Sequence, residues 1–184
     1  MPGAFSGESL SRTRSGMCSG SPQKMRPMQG IHAVRRFTDA ARADELLVLV
    51  RGAFRDLPID PPSSVLKETA ADFAARLACE AAFVIEADGR LVGSVFCAPR
   101  GDALYVGRLA VAPDWRRRGV AAALIEAAKA EARRNGARRI TLKARIALAS
   151  NIALFRRHGF AIIAEETHRG FAAPTSYEME FRLA

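Results

Sequence analysis

The chain has little cysteine. Cys18, Cys79 and Cys97 are its three, too few and too scattered for a disulfide framework or a CxxC zinc site. It has no long apolar run: the stretch from Val120 to Ile125 falls far short of the roughly 20 residues that a membrane helix needs. No continuous apolar segment of the secretory type stands near its start. Acidic residues are outnumbered, 19 Asp and Glu against 28 Lys and Arg, for a net charge of +9. Neither a GxxxxGK[ST] loop nor a GxGxxG fingerprint occurs, so the usual nucleoside-triphosphate and dinucleotide readings lose support. Helix-turn-helix, RNP-like and zinc patterns are missing too, which leaves the basic balance pointing to anionic small ligands rather than nucleic acid. The expectation is a cytoplasmic protein with no metal, no membrane partner and no nucleic-acid partner.

What is there is 184 residues, 49% hydrophobic, enough for one ordinary core. Residues 1–28 are rich in Ser, Gly, Pro and Arg and bury too little to offset their ordering entropy. They read as a disordered tail, with Met17, Met25 and Met28 as alternative starts, before one domain over residues 29–184. Ile31 to Phe37 reads as a first strand. Thr38 can cap a helix with Leu46, Leu47, Val50 and Phe54 on its apolar face. Pro58, Pro61 and Pro62 break that helix, and a second follows Ser63 and Ser64 with Leu66, Ala70, Phe73 and Leu77 on one side.

A β-region comes next. Ala82 to Glu86 and Leu91 to Cys97 flank Ala87-Asp88-Gly89-Arg90, and Asp-Gly is a strong hairpin signal. A turn at Arg100-Gly101-Asp102 leads into a strand over Ala103–Val111. Pro113 stops it, and a long helix runs from about Arg118 to Arg134, closed by Asn135-Gly136. Arg139 to Arg145 alternates as a strand, a short helix ends at His158-Gly159, and Phe160 to Ala164 and Ser176 to Leu183 complete the sheet. This order, β-α-α-β-β-β-α-β-α-β-β, implies an α/β fold: a mixed, mainly antiparallel sheet of about six to seven strands flanked by helices.

The chemistry concentrates where a strand enters a basic turn that opens directly into the long helix, from Leu109 through Arg116-Arg117-Arg118-Gly119 to Ala121. The first N–H groups of a helix have no intrahelical partner, and the dipole adds positive character there. Together they make an anion site. Gly119 lets the backbone approach a phosphate, and the three arginines add long-range attraction. Read blandly, the same run is a solvated helix start.

Arg116-x-x-Gly119-x-Ala121, after Leu109-x-Val111-x-Pro113, resembles the pyrophosphate-binding motif (R/Q-x-x-G-x-G/A) of the GNAT superfamily of acyl-CoA N-acyltransferases. The resemblance extends from about Ile31 to the C-terminus and includes Asn151-Ile152-Ala153-Leu154-Phe155-Arg156-Arg157-His158-Gly159-Phe160. It implies acetyl-CoA, or another short acyl-CoA, as co-substrate and direct transfer to an amine of a small molecule or a protein. It further implies a pyrophosphate on the amides of Arg117, Arg118, Gly119, Val120, Ala121 and Ala122, with Arg116 beside them. Pantetheine would lie along Leu109, Ala110 and Val111, where two strands splay, and an N–H near Leu109 or Ala110 would stabilise the oxyanion.

Two places depart from the family pattern. The usual Tyr acid, four residues before Gly-Phe, is Phe155, which has no proton to give and lines the core or the cleft. The Glu base found six residues before the motif's Val in some members is Tyr105, which becomes the candidate for proton transfer; Tyr177 is a weaker one. Asn151 stands closer to Gly-Phe than in many members and either contacts pantetheine or starts the short helix. His158 fits a helix C-terminus, Cys97 a buried inert thiol, and Trp115 a packed residue at the motif's edge. The resemblance builds the acceptor pocket from the two N-terminal helices and a loop over about Glu165 to Pro174, where Glu165 and Glu166 can attract a cationic amine and His168 and Arg169 stand at the border. Homodimers are common among such proteins. The competing readings are a non-catalytic acyl-CoA-binding module, suggested by Phe155, and a nucleic-acid binder, suggested only by charge.

Overall fold

The computed structural model describes residues 33–183, so the expected tail over 1–28, and Ile31 and His32 of the expected first strand, lie outside the described residues. Seven strands form one sheet in the order β1-β2-β3-β4-β5-β7-β6. They are β1 Arg35–Phe37, β2 Ala81–Ala87, β3 Arg90–Arg100, β4 Ala103–Val111, β5 Arg139–Arg145, β6 Ala161–Glu166 and β7 Ser176–Arg182, interleaved with helices α1 Ala43–Phe54, α2 Ala70–Cys79, α3 Val120–Arg134 and α4 Ala149–Arg157. Every strand pairing is antiparallel except β4 with β5. The element order and the mixed sheet are as the sequence implies.

The β2–β3 turn is made by Asp88 and Gly89, both with positive φ, as a tight hairpin requires. The N-terminal helices differ from expectation. Asp39, rather than Thr38, caps a 3-10 turn over Ala40–Arg42, and α1 starts only after it. The inward face of α1 is Leu46, Leu49, Val50 and Ala53; Leu47 and Phe54 are only partly buried. The helix expected after Ser63 is two pieces: a 3-10 turn at Ser64–Lys67, then α2, started by a capping box in which Thr69 and Asp72 bond each other's backbone N–H. Glu165 and Glu166 belong to β6, not to the loop, which is therefore shorter.

The two faces of the sheet have different partners. Phe73 of α2 meets Phe96 edge-on, so the face carrying Phe96 lies under α1 and α2. Gly93 marks the other face: a Cβ there would sit 2.5 Å from Val120 Cγ1 and 3.0 Å from Leu124 Cδ1. The missing side chain lets the first turn of α3 lie directly on β3. Gly93→Val is expected to lower stability by about 2–3 kcal/mol through overpacking, a fall in Tm of roughly 5–10 °C for a chain of this size. An unchanged thermal melt would show that α3 has room to retreat.

Candidate functional site

The last residue pair that β4 shares with β5 is Val106 with Leu142. Beyond it β4 continues to Val111 along β3, and β5 continues to Arg145 along β7, so the two strands part. Their facing edges then carry peptide groups with no strand partner, in a sheet where such groups are otherwise paired. A bulge helps them part. Ser94 pairs with Ala110 and Phe96 with Gly107, leaving Arg108 and Leu109 opposite the single residue Val95. Arg108 takes φ +48°, the left-handed region that non-glycine residues rarely adopt.

This bulge left a signal in the sequence. Leu104 and Val106 occupy even positions, Leu109 and Val111 odd ones; the alternation slips by one residue, yet all four face α3. Cross-strand pairs share a face, which puts Tyr105 and Gly107 with Ala98 and Phe96 on the α1/α2 side. Tyr105 thus stands at the foot of the opening, half-buried, with the Arg100 guanidinium 3.8 Å from its ring centroid.

Above the opening, β4 leads through a 3-10 turn, Pro113–Trp115, into α3. Gly119 is the residue before the helix, at φ +82°, and supplies no side-chain cap. The amides of Val120, Ala121 and Ala122 therefore begin the helix without an acceptor from a capping side chain. Arg117 is also left-handed, at φ +60°, and a turn of this kind gathers backbone N–H groups into a concave, electropositive surface. Arg116, Arg117 and Arg118 are exposed. Arg116 does not point into that concavity: its Nη2 donates to the Ala53 carbonyl in the last turn of α1, at 3.1 Å. Arg118 lies over the Trp115 ring at 4.9 Å, and Trp115 is buried as expected. The side chains of two of the three arginines thus hold the turn in place, and its backbone faces outward.

The residues of the second motif fall elsewhere. Phe155 is buried edge-on against Phe160, which packs on Phe181, so it is part of the core on the α3 side. Asn151 is exposed in the first turn of α4, and its backbone N–H donates to the Leu148 carbonyl. His158 bonds Glu126 of α3 at 3.1 Å, a structural tie. Cys97 is buried beneath α3, and that burial pushes its thiol up to about 12. Tyr177 pairs with Ala144 and packs against the core. Among the described residues no group of three His, Cys, Asp or Glu is placed to hold a metal ion, and no helix is long and apolar enough to cross a membrane.

Three functional candidates escaped the sequence reading. Arg108 of the bulge forms a two-pronged ion pair with Glu68, from the segment just before α2; its Nε lies 2.8 Å from Oε2. Glu68 also pairs with Arg76, and its carbonyl accepts from Arg51. Burial opposes the charge on Glu68, but Arg108 and Arg76 outweigh it and hold the carboxyl below the usual range. The third is Arg145, level with the bulge across the opening, whose Nη groups reach the Asp60 carbonyl and His168. These contacts span 85, 40 and 23 positions of sequence, beyond what periodicity can read.

The uncapped helix start and the unpaired strand edges suit a ligand with an anionic head and an extended, amide-bearing arm, which is the chemistry of coenzyme A. A family model described as acetyltransferase (GNAT) family matches residues 49–160. Among solved structures, a nourseothricin acetyltransferase is 27% identical, covers 82% of this chain and 99% of its own, and superposes with a TM-score of 0.62. PaiA N-acetyltransferase from Thermoplasma acidophilum, solved in complex with coenzyme A, is 12% identical over 83% of this chain and 100% of its own, with a TM-score of 0.69. The ribosomal-protein-S18-alanine N-acetyltransferase from Escherichia coli is 18% identical over 82% and 92%, with a TM-score of 0.67. No curated protein sequence gives a significant match.

Proposed function

The chain belongs to the GNAT acetyltransferase family, and from that premise we propose how its own residues move an acetyl group from acetyl-CoA to an amine. The observation that carries the reading is the opening between β4 and β5 beside an α3 whose start has no side-chain cap. The pyrophosphate is held by the amides of Arg117 to Ala122, mainly through backbone. Arg116 contributes by fixing the turn to α1. Pantetheine runs along Leu109, Ala110 and Val111 and satisfies the inner edge of β4 in place of a strand.

Acetyl-CoA supplies the thioester carbonyl. The amine nitrogen forms the new C–N bond, the C–S bond breaks, and the sulfur leaves with its electron pair. An N–H near Leu109 or Ala110, presented by the bulge, stabilises the oxyanion. Phe155 lies in the core and has no proton to donate, so water protonates the leaving thiolate. Tyr105, on the α1/α2 side of the opening, is the side chain we assign to proton transfer: its phenolic oxygen takes the amine's proton as its own hydrogen passes to water. The compartment that fits this chemistry is the cytoplasm.

Calorimetric titration tests the reading, with acetyl-CoA, CoA and ATP as ligands. Acetyl-CoA and CoA are expected to bind similarly and ATP much more weakly. No acetyl-CoA binding would overturn it. With an accepted amine at saturating acetyl-CoA, Tyr105→Phe is expected to lower kcat, and an unchanged kcat removes Tyr105 from the mechanism.

A further inference from the structure

The opening has two lips, and the second lip carries a cation with no carboxylate partner among the described residues. From Val106 and Leu142, three residues along each strand lead to Leu109 on β4 and Arg145 on β5. Arg145 therefore stands across the opening from the bulge, about 10 Å above the point where the strands part. It shares a face with Thr141 and, through the Tyr105–Thr141 pair, with Tyr105, so it lies on the α1/α2 side.

Two loops converge on it. Its Nη2 donates to the Asp60 carbonyl in the connection between α1 and α2. Its Nη1 lies 3.4 Å from His168 Nε2 in the connection between β6 and β7. Since a guanidinium only donates, His168 Nε2 accepts, and its Nδ1–H turns to the Thr175 hydroxyl, which donates to the Glu166 carbonyl. Both acceptors are thus neutral. The Nε–H is hidden from water and unbonded among the described residues.

Most other half-buried arginines are neutralised: Arg42 by Glu45 and Glu86, Arg76 by Glu68 and Glu80, Arg108 by Glu68. Arg51, which donates to the Glu68 carbonyl, is the exception, but it belongs to α1 and not to a lip of the opening. Arg145 has no such pair among the described residues. Burial lowers its affinity for its proton, and Asp60 offsets this only through space. A half-buried charge held only by neutral acceptors is less well compensated than one paired with a carboxylate.

We propose that Arg145 binds a carboxylate on the acceptor, so that the preferred substrates are small amines of the amino-acid type, with a carboxylate close to the amino group. The proposal rests on the acetyl-transfer reading and deepens it. A carboxylate adds an opposite charge and a two-pronged fit that neutral acceptors lack, so it displaces the Asp60 carbonyl and His168 from the guanidinium. Both loops are then released from Arg145 as the acceptor enters. Glu166, which attracts cations in the sequence reading, is engaged by Lys143 at 2.7 Å and does not compete for the amine.

The test compares matched acceptors, the L-amino acids and the amines left when their carboxyl group is removed, with full-length protein, acetyl-CoA and detection of released thiol. Wild type is expected to show a higher kcat/KM on the carboxylated member of a pair. In Arg145→Met that advantage collapses by about 10- to 100-fold, the size of a lost bond to a charged group, and chiefly through KM. Arg145→Lys, which keeps the charge but not the fork, recovers part of it. Thermal melting and acetyl-CoA titration show whether each variant is folded and charged with co-substrate. Equal losses on both members of a pair would mean that Arg145 only ties the loops, and the proposal falls. It falls also if wild type binds acetyl-CoA but acetylates none of the amino acids, or prefers the decarboxylated amines. Failure to bind acetyl-CoA at all is the distinct result that removes the reading beneath it.

Discussion

Gly119→Asp is expected to weaken acetyl-CoA binding by about 100-fold or more, equivalent to roughly 3 kcal/mol, with the fold intact. Gly119 has nothing within 4 Å of where a Cβ would stand, so the new side chain meets open space. The backbone penalty for a non-glycine residue at φ +82° is about 1 kcal/mol, small beside typical domain stability. The electrostatic term is larger. Two unit charges about 4 Å apart near a protein surface repel by roughly 4 kcal/mol, and a carboxylate at the mouth of the turn would face a pyrophosphate bound where we propose it. Gly119→Asn carries the same backbone penalty and almost the same shape without the charge. It is expected to bind at least about tenfold more tightly than Gly119→Asp. Calorimetry on both variants separates the two effects, and full affinity in Gly119→Asp would remove the α3 start as the phosphate site.

Glu68→Gln is expected to lower kcat by about tenfold, a fraction of the 100-fold or more that follows loss of an oxyanion donor. Glu68 touches no reacting atom. It grips Arg108, which is held at a φ it would not choose, and so fixes the bulge that presents the amides of Leu109 and Ala110. Losing one member of a largely buried pair also destabilises the protein by about 3 kcal/mol, so a slower enzyme alone would not show positioning. Arg108→Gly supplies the discriminating control. Glycine adopts positive φ without a clamp, and the double variant Glu68→Gln/Arg108→Gly is expected to be faster than Glu68→Gln alone. Unchanged kcat in Glu68→Gln, or no recovery in the double variant, would show that the bulge does not depend on the clamp. The clamp also has a pH signature. A carboxyl held below its unfolded value contributes fully above that value, about 4.3 for Glu, and its contribution is lost as pH falls through the lower folded value.

Local signals in the sequence led to the right elements where one principle governs. The Asp88-Gly89 hairpin, the bounds of β4 and the stop at Asn135-Gly136 depend on turn chemistry and alternation, and the structure agrees with each. The start of α1 and the break before α2 went astray because competing caps stand close together. Asp39 lies beside Thr38, and Thr69-x-x-Asp72 lies downstream of Ser63 and Ser64; only packing of the helices decides which cap is used. The basic turn before α3, where we propose the phosphates bind, was legible as a turn into an uncapped helix because its backbone geometry follows from a local pattern. The pairs that flank the opening were not, since Glu68 finds Arg108, and Asp60 finds Arg145, only after the sheet has formed. Arg116 shows the limit from the other side: its position is in the motif, while its guanidinium serves α1.

A sheet that parts down its middle exposes backbone edges of the kind that draw proteins into intermolecular β-pairing. Here the outer edges are blunted. β1 is three residues long and carries two arginines, Arg35 and Arg36; β6 has an irregular register near Ile163 and ends in Glu165 and Glu166. The inner edges of β4 and β5 need no such protection, because each faces the other across a gap that narrows to nothing at Val106 and Leu142. A foreign strand has no free side from which to approach, whereas a slender arm with two amides can slide in. Closing one end of the gap is thus a safeguard against aggregation as much as a binding device.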